Sequence, residues 1–159
     1  MGQTELTVTI CGENGYISRD DKIAPGFDRI VSYGCYGLSE SPDGMLQQVV
    51  CVQRYFGMEE PLEMIHLIVD YGDSAKDDET AFAYSESCAE YFSRNYQIYH
   101  CTHQDMQSLR YHAHLLINPI SYLGGKVLDV NIENMNRFCE YLSSISGMPV
   151  RLILEKEQT

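Results

Sequence analysis

The sequence predicts an α+β domain in which a mostly antiparallel sheet carries its helices packed on one face. Segments with strand periodicity and segments with helical periodicity follow one another in the order β, loop, α, β, α, β-β hairpin, α, β. Two adjacent strand-like segments with a short loop between them predict the antiparallel hairpin. The 159 residues, 44% of them hydrophobic, suit a single domain over residues 1–159 with its own core.

The N-terminal third predicts a strand before a glycine-rich segment and a helix after it. Glu5 to Cys11 alternate in polarity and include β-branched residues, which favour a first strand. Phe27–Tyr33 predicts a short helix or strand, and the glycine-rich residues from Tyr33 to Ser41 predict an irregular loop. Ser41 and the proline after it begin a helix that Gly57 ends.

The rest of the chain predicts a central strand, two helices and a last strand beside the hairpin. Glu63–Val69 is almost continuously apolar, as in a strand buried on both faces. Acidic residues within 73–78 precede a helical stripe from Ala81 to Phe92, where the helix dipole favours carboxylates. Asn131 can cap a last helix that Gly147 stops, and Val150–Leu154 predicts the final strand.

The predicted hairpin carries three of the five histidines. His103 ends the strand-like segment 96–103, and a loop over 104–109 would fold it back beside Tyr111–Ile117. Because alternate side chains of a strand share a face, four polar residues of the second strand are expected to point one way. These residues are Arg110, His112, His114 and Asn118. Three neutral ring nitrogens on adjacent strands, with coordination positions left open, predict a catalytic metal site.

The charge and cysteine content restrict the partners and the compartment. A net charge of −12 with only 11 basic residues opposes binding to a polyphosphate, because DNA affinity depends on Lys and Arg displacing counterions. The six cysteines are widely spaced without a Cys-x-x-Cys pair, so we expect reduced thiols and a cytoplasmic location. No segment approaches the roughly 20 apolar residues of a membrane span, and the N-terminus lacks the pattern of a signal peptide.

The histidine segment resembles the metal-binding motif of the relaxase, or mobilization nuclease, family within the His-hydrophobe-His endonucleases. That motif reads His-x-Asp, a few variable residues, then His-x-His followed by apolar residues and Asn. His103-Gln-Asp105 matches its first part, and His112-Ala-His114 with Asn118 matches the second. The resemblance extends loosely from about Ile30 to the end, and it implies a relaxase-like fold of ferredoxin-like or palm type without the family's usual C-terminal extension.

The resemblance implies cleavage of one DNA strand at the origin of transfer of a plasmid or other mobile element. In such a reaction a tyrosine hydroxyl attacks the scissile phosphorus and leaves a 5′-phosphotyrosine and a free 3′-hydroxyl. A divalent cation on His103, His112 and His114 would polarise a phosphate oxygen, with Mn²⁺ or Mg²⁺ in use and Zn²⁺ or Ni²⁺ as alternatives. The implied partners are single-stranded DNA and other mobilization proteins.

The nucleophile is expected in the N-terminal segment, where the family keeps a Tyr-Ile followed by an Asn-Pro-Glu-Lys-Thr run. Tyr33 is the tyrosine that best matches by its position before the first long helix, with Tyr36 and Tyr16 as the alternatives. The lysine and threonine of that run do not follow Tyr33. Replacing the nucleophile with Phe would remove the attacking oxygen.

Three further residues are expected near the metal. Asp105 could orient a histidine through its ring N–H, as carboxylates around metal sites do. Arg110 lies on the predicted metal face and could contact phosphate, although an ordinary surface arginine also fits. His66 lies in a segment similar to the family's His-x-x-x-Ser-Phe, and it is either a hydrogen-bonded core histidine or a neighbour of the site.

Three functions remain open at this level. One is an active or accessory DNA-nicking relaxase domain, which the three histidines favour. The second is a relaxase-like binding or regulatory module, or a remnant, which the acidity and the short chain favour. The third is a metal hydrolase of small substrates. The identity of the side chain nearest the three histidines would discriminate most sharply among them.

Overall fold

The computed structural model describes residues 5–11, 28–39 and 41–154. Within these residues six strands form one sheet in the order β2-β4-β5-β3-β1-β6. The strands are β1 (Leu6–Ile10), β2 (Asp28–Tyr36), β3 (Ile65–Asp70), β4 (Ile98–Asp105), β5 (Tyr111–Ile117) and β6 (Val150–Leu154). The helices are α1 (Pro42–Tyr55), α2 (Asp78–Ser93) and α3 (Ile132–Ser146).

This arrangement confirms the predicted α+β class with a mostly antiparallel sheet. Every neighbouring pair of strands is antiparallel except β1 and β6, which run parallel. None of the helices in the described part of the chain has the length and apolar character needed to cross a membrane.

The helices divide between the two faces of the sheet. The larger core lies between the sheet and the pair α2 and α3, where Phe92 and Phe138 pack against strand residues such as Leu115. This agrees with the predicted helical face. Helix α1 instead covers part of the other face, since its Met45 and Val49 belong to a smaller core with residues of β4 and β5. Sequence periodicity alone does not tell which face of a sheet a helix will cover.

Polar side chains cap the N-termini of the helices, as predicted for Ser41 and Asn131. The side chains of Ser41, Asp77 and Asn131 each accept the backbone N–H three residues further on, which caps α1, α2 and α3. Helix α3 ends at Gly147, whose φ of 71° lies in the left-handed region that glycine tolerates.

Strand β2 differs from the prediction, because Tyr33–Tyr36 lies in the strand and not in a loop. The strand pairs with β4 along its length, with a register shift between Ile30 and Ser32. Gly34 faces the buried ring of His100, and a Cβ atom there would lie 2.7 Å from His100 Nε2. The glycine therefore admits a close side chain within a strand and does not mark a loop.

Candidate metal centre

The register of the central hairpin brings the three predicted histidines together. His103 on β4 lies directly opposite His112 on β5, and His114 lies two residues further along the same face. One nitrogen from each ring lies within 4.8 Å of the others. The three ring centroids are 4.7 to 5.2 Å apart. The donor set and its spacing therefore fit one divalent cation.

His66 lies beside this cluster and contacts one of its members. On β3 it pairs with Leu116, so it shares the face of His114. His66 Nε2 lies 2.9 Å from His114 Nδ1, and the two rings stack with centroids 5.1 Å apart. If His114 offers Nε2 to a cation, its Nδ1 carries the proton and donates to His66. His66 is thus placed to fix the tautomer of His114.

Cys101 stands in a similar relation to His103. The two residues are two apart on β4, and Cys101 Sγ lies 3.1 Å from His103 Nε2. Burial raises the pKa of the Cys101 thiol to about 11, so the sulfur keeps its proton near neutral pH. If His103 offers Nδ1 to a cation, its Nε2 carries the proton and donates to the Cys101 sulfur, which holds Nδ1 on the opposite side of the ring.

A carboxylate that the sequence did not single out borders the cluster. Asp28, the first residue of β2, places Oδ2 3.2 Å from His112 Nε2 and 3.7 Å from His103 Nδ1. Asp28 pairs across the strands with Asp105 at the end of β4. No short-range spacing links Asp28 to the histidines, because only the pairing of β2 with β4 brings it there.

Asp105 is held by the hairpin loop. Its Oδ1 accepts the backbone N–H groups of Gln107 and Ser108 in the hairpin loop. These bonds hold the pKa of the Asp105 carboxyl below its usual range, with a smaller contribution from His112. This carboxylate oxygen therefore shapes the turn between β4 and β5, and orientation of a histidine by Asp105 stays a prediction.

The three candidate tyrosines occupy different places. Tyr33 lies opposite Cys101, which in turn lies opposite His114, so Tyr33 shares the histidine face and is 54% exposed. Tyr36 lies on the other face and donates to Glu86 of α2. Burial, with Glu86 beside it, raises the pKa of Tyr36 well above its usual value, and both features oppose a role at the metal. Tyr16 lies outside the described residues.

Asn118 and Arg110 are engaged elsewhere in the structure. Asn118 is fully buried, donates to Gln97 Oε1 and accepts from Gln53 Nε2, which ties α1 to the end of β5. Arg110 Nε lies 3.3 Å from Asp73 Oδ1. Asn118 is thus a core residue. The Asp73 carboxylate competes with the phosphate that Arg110 was expected to contact.

Taken together, the fold and site define an α+β domain with a three-histidine centre of the His-hydrophobe-His kind on its central hairpin. The family model "Relaxase: MobA/VirD2-like, nuclease domain" matches residues 16–146. Because this match spans most of the chain, the protein belongs to the relaxase family. Relaxases use a divalent metal and bind single-stranded DNA. A search of curated proteins and a search of solved structures each returned no match.

The family match also includes the segment around the alternative tyrosine, Tyr16. The match begins at Tyr16, which is followed by Ile17 and, a few residues later, by Asp21-Lys22. This order repeats the Tyr-Ile and acidic-Lys parts of the family's run, which are missing after Tyr33. Tyr16 therefore stays, beside Tyr33, a candidate for the nucleophile.

Proposed function

We propose that this chain is a metal-dependent relaxase domain that nicks single-stranded DNA at an origin of transfer. The observation that carries the proposal is the convergence of His103, His112 and His114 on one face of the central hairpin. This face belongs to a chain of the relaxase family. A bound Mn²⁺ or Mg²⁺, or Zn²⁺ or Ni²⁺ in its place, would supply Lewis-acid polarisation of a non-bridging phosphate oxygen.

The chain's own residues then have separate tasks. The three histidines hold the cation, and His66 holds His114 in the tautomer that leaves Nε2 for it. A tyrosine oxygen attacks the phosphorus, the bond between phosphorus and the 3′-oxygen breaks, and the phenol proton passes to solvent while the 3′-oxygen takes up a proton. The products are a 5′-phosphotyrosine and a 3′-hydroxyl.

Two tyrosines are candidates for the nucleophile. Tyr33 is supported by its position, since it lies two strands from His114 on the same face, a backbone separation of roughly 10 Å. A phenol that reaches about 6 Å above its backbone could attack a phosphate held between Tyr33 and His114. Tyr16 is supported by the family's run around it. Tyr36 is disfavoured by its position on the opposite face.

The electrostatics support only weak DNA binding by this chain alone. The net charge is −12, and two arginines near the hairpin end already face carboxylates: Arg110 pairs with Asp73, and Arg29 pairs with Asp78 at 2.7 Å. This observation favours the second candidate function, a relaxase-like binding or regulatory module. We expect DNA binding to be weak and steeply salt-dependent unless another basic domain or mobilization protein contributes.

The proposal is tested by trapping the covalent intermediate. The full chain is incubated with Mn²⁺ and a 3′-labelled pool of single-stranded oligonucleotides of random sequence, and adducts are resolved on a denaturing gel. Wild type and Tyr36→Phe should form the adduct, and His114→Ala should not. If the adduct is lost in Tyr33→Phe or in Tyr16→Phe, the substituted tyrosine is the nucleophile. No adduct in wild type, together with retained metal binding, would favour the binding module.

A further inference from the structure

Three aspartates in the described part of the chain lie around His112 on the histidine face, and Asp28 is the one whose carboxylate pairs with ring nitrogens. Asp70 pairs with His112 across β3 and β5, but its Oδ1 accepts the N–H of Gly72. Asp105 accepts the loop N–H groups described above. Asp28, at the start of β2, is the aspartate whose oxygen approaches two members of the cluster.

Asp28 Oδ2 faces two ring nitrogens at distances close to those between ligands of one ion. An N–H···O bond is commonly 2.7–3.2 Å, so 3.7 Å to His103 Nδ1 is too long and 3.2 Å to His112 Nε2 is at the limit. Two ligands each about 2.1 Å from a shared cation lie roughly 3.0–3.5 Å apart. The 3.2 Å from Asp28 Oδ2 to His112 Nε2 lies in this range, and the 3.7 Å to His103 Nδ1 is slightly longer, so a small side-chain movement would bring one oxygen and two ring nitrogens around a shared ion.

The neighbours of the rings direct nitrogens towards the same space. His103 has the Cys101 sulfur at Nε2 and Asp28 on the side of Nδ1. His112 faces Asp28 through Nε2. On His114 the Nδ1 atom faces His66 Nε2, so a cation would be held through Nε2. Contacts from three different strands therefore orient the donors around the position that the Asp28 carboxylate borders.

We propose that Asp28 Oδ2 is a fourth ligand of the metal centre and that it determines which cation the centre prefers. The inference rests on the proposed function, since it needs the three histidines to hold a cation. Imidazole nitrogens suit Zn²⁺, Ni²⁺ and Cu²⁺, whereas carboxylate oxygen suits Mn²⁺ and Mg²⁺. An N₃O set with one negative charge would shift the preference towards Mn²⁺ and would leave room on the cation for a phosphate oxygen.

The experiment measures metal binding directly and does not depend on cleavage. Metal-free wild type and Asp28→Asn are titrated with Mn²⁺, with the free ion followed by its paramagnetic resonance signal, and with Zn²⁺ against a coloured chelator. The asparagine variant should bind Mn²⁺ at least about 30-fold more weakly and lose much less affinity for Zn²⁺. The visible absorption of bound Co²⁺ should also differ between the two proteins, because a ligand has changed.

Asp105→Asn is the matched control. It removes the same charge from the same face at the residue that pairs with Asp28, and its Mn²⁺ affinity should stay within about threefold of wild type. Circular dichroism confirms that each variant is folded. If Asp28 only pairs with a charged His112, Asp28→Asn will bind Mn²⁺ as tightly as wild type or more tightly, with an unchanged Co²⁺ spectrum. That result would show that Asp28 is not a ligand and would leave the proposed function standing. Wild type that binds no metal would contradict both the Asp28 ligand and the proposed function.

Discussion

The central hairpin carries two histidine–carboxylate pairs of nearly equal length on opposite faces of the sheet. His100 Nε2 lies 3.3 Å from Glu86 Oε1 on the face covered by α2, and His112 Nε2 lies 3.2 Å from Asp28 Oδ2 on the other face. Both pairs join a strand of the hairpin to another element. The separation between nitrogen and oxygen therefore does not distinguish them.

The surroundings of the two histidine–carboxylate pairs distinguish them. The ring of His100 is fully buried between Gly34 and helix α2, with the Phe82 ring centroid 6.2 Å away. His112 keeps part of its side chain exposed, and two further histidine rings converge on it. A metal centre therefore requires several donors that converge at an accessible position, whereas one histidine enclosed by packing supports the fold.

The largest difference is expected in metal binding. His114→Ala removes a ring nitrogen of the cluster, so we expect the affinity for Mn²⁺ to fall by more than about 100-fold, since even residues that only orient ligands cost 10–100-fold. His100→Gln should bind Mn²⁺ within about threefold of wild type. Calorimetric titration of both variants checks this, and equal losses in the two would remove the distinction between the pairs.

The reverse difference is expected in stability. A methyl group at Gly34 would lie 2.7 Å from His100 Nε2 and 3.2 Å from Glu86 Oε1, so the buried ring must shift. We expect Gly34→Ala to lower the free energy of unfolding by about 2 kcal/mol, within the usual range for overpacking. Urea unfolding measures the loss, and metal affinity serves as the control. A variant as stable as wild type would show that the ring is not tightly enclosed.

The features that sequence could predict are those that depend on neighbouring residues. The alternation in β5 and the short loop before it suffice to place His103, His112 and His114 on one face, as the structure shows. Asp28 could not be found in this way, because β2 reaches β4 only through the order of strands in the whole sheet. The strand at Tyr33–Tyr36 was missed for a related reason, since its glycine accommodates a histidine from a distant segment.

A smaller effect is expected from the residue behind the cluster. His66 contacts the cluster through His114 Nδ1, so His66→Leu should keep all three proposed histidine ligands and lose the bond that fixes one tautomer. We expect roughly a 10-fold loss of Mn²⁺ affinity, and His66→Gln, which can still hydrogen-bond, should recover part of it. Equal affinities for Leu, Gln and wild type would make His66 a core residue without influence on the metal.

The smallest effect separates the two pairs by their response to pH. Burial lowers the pKa of His100 below its ordinary value of 6.5, and the charge of Glu86 opposes this only in part. The unfolded chain therefore binds a proton at a higher pH than the folded chain, and the stability conferred by neutral His100 is complete above 6.5. This contribution to stability declines as pH falls towards the lower pKa of the folded state and levels off below that pKa.

Urea unfolding of metal-free wild type and His100→Gln between about pH 5 and 8 should show the stability advantage of wild type growing with pH, because the other histidines contribute equally to both proteins. An advantage that grows towards acid pH would instead mean that Glu86 holds His100 in its charged form, and the two pairs would then differ in location alone.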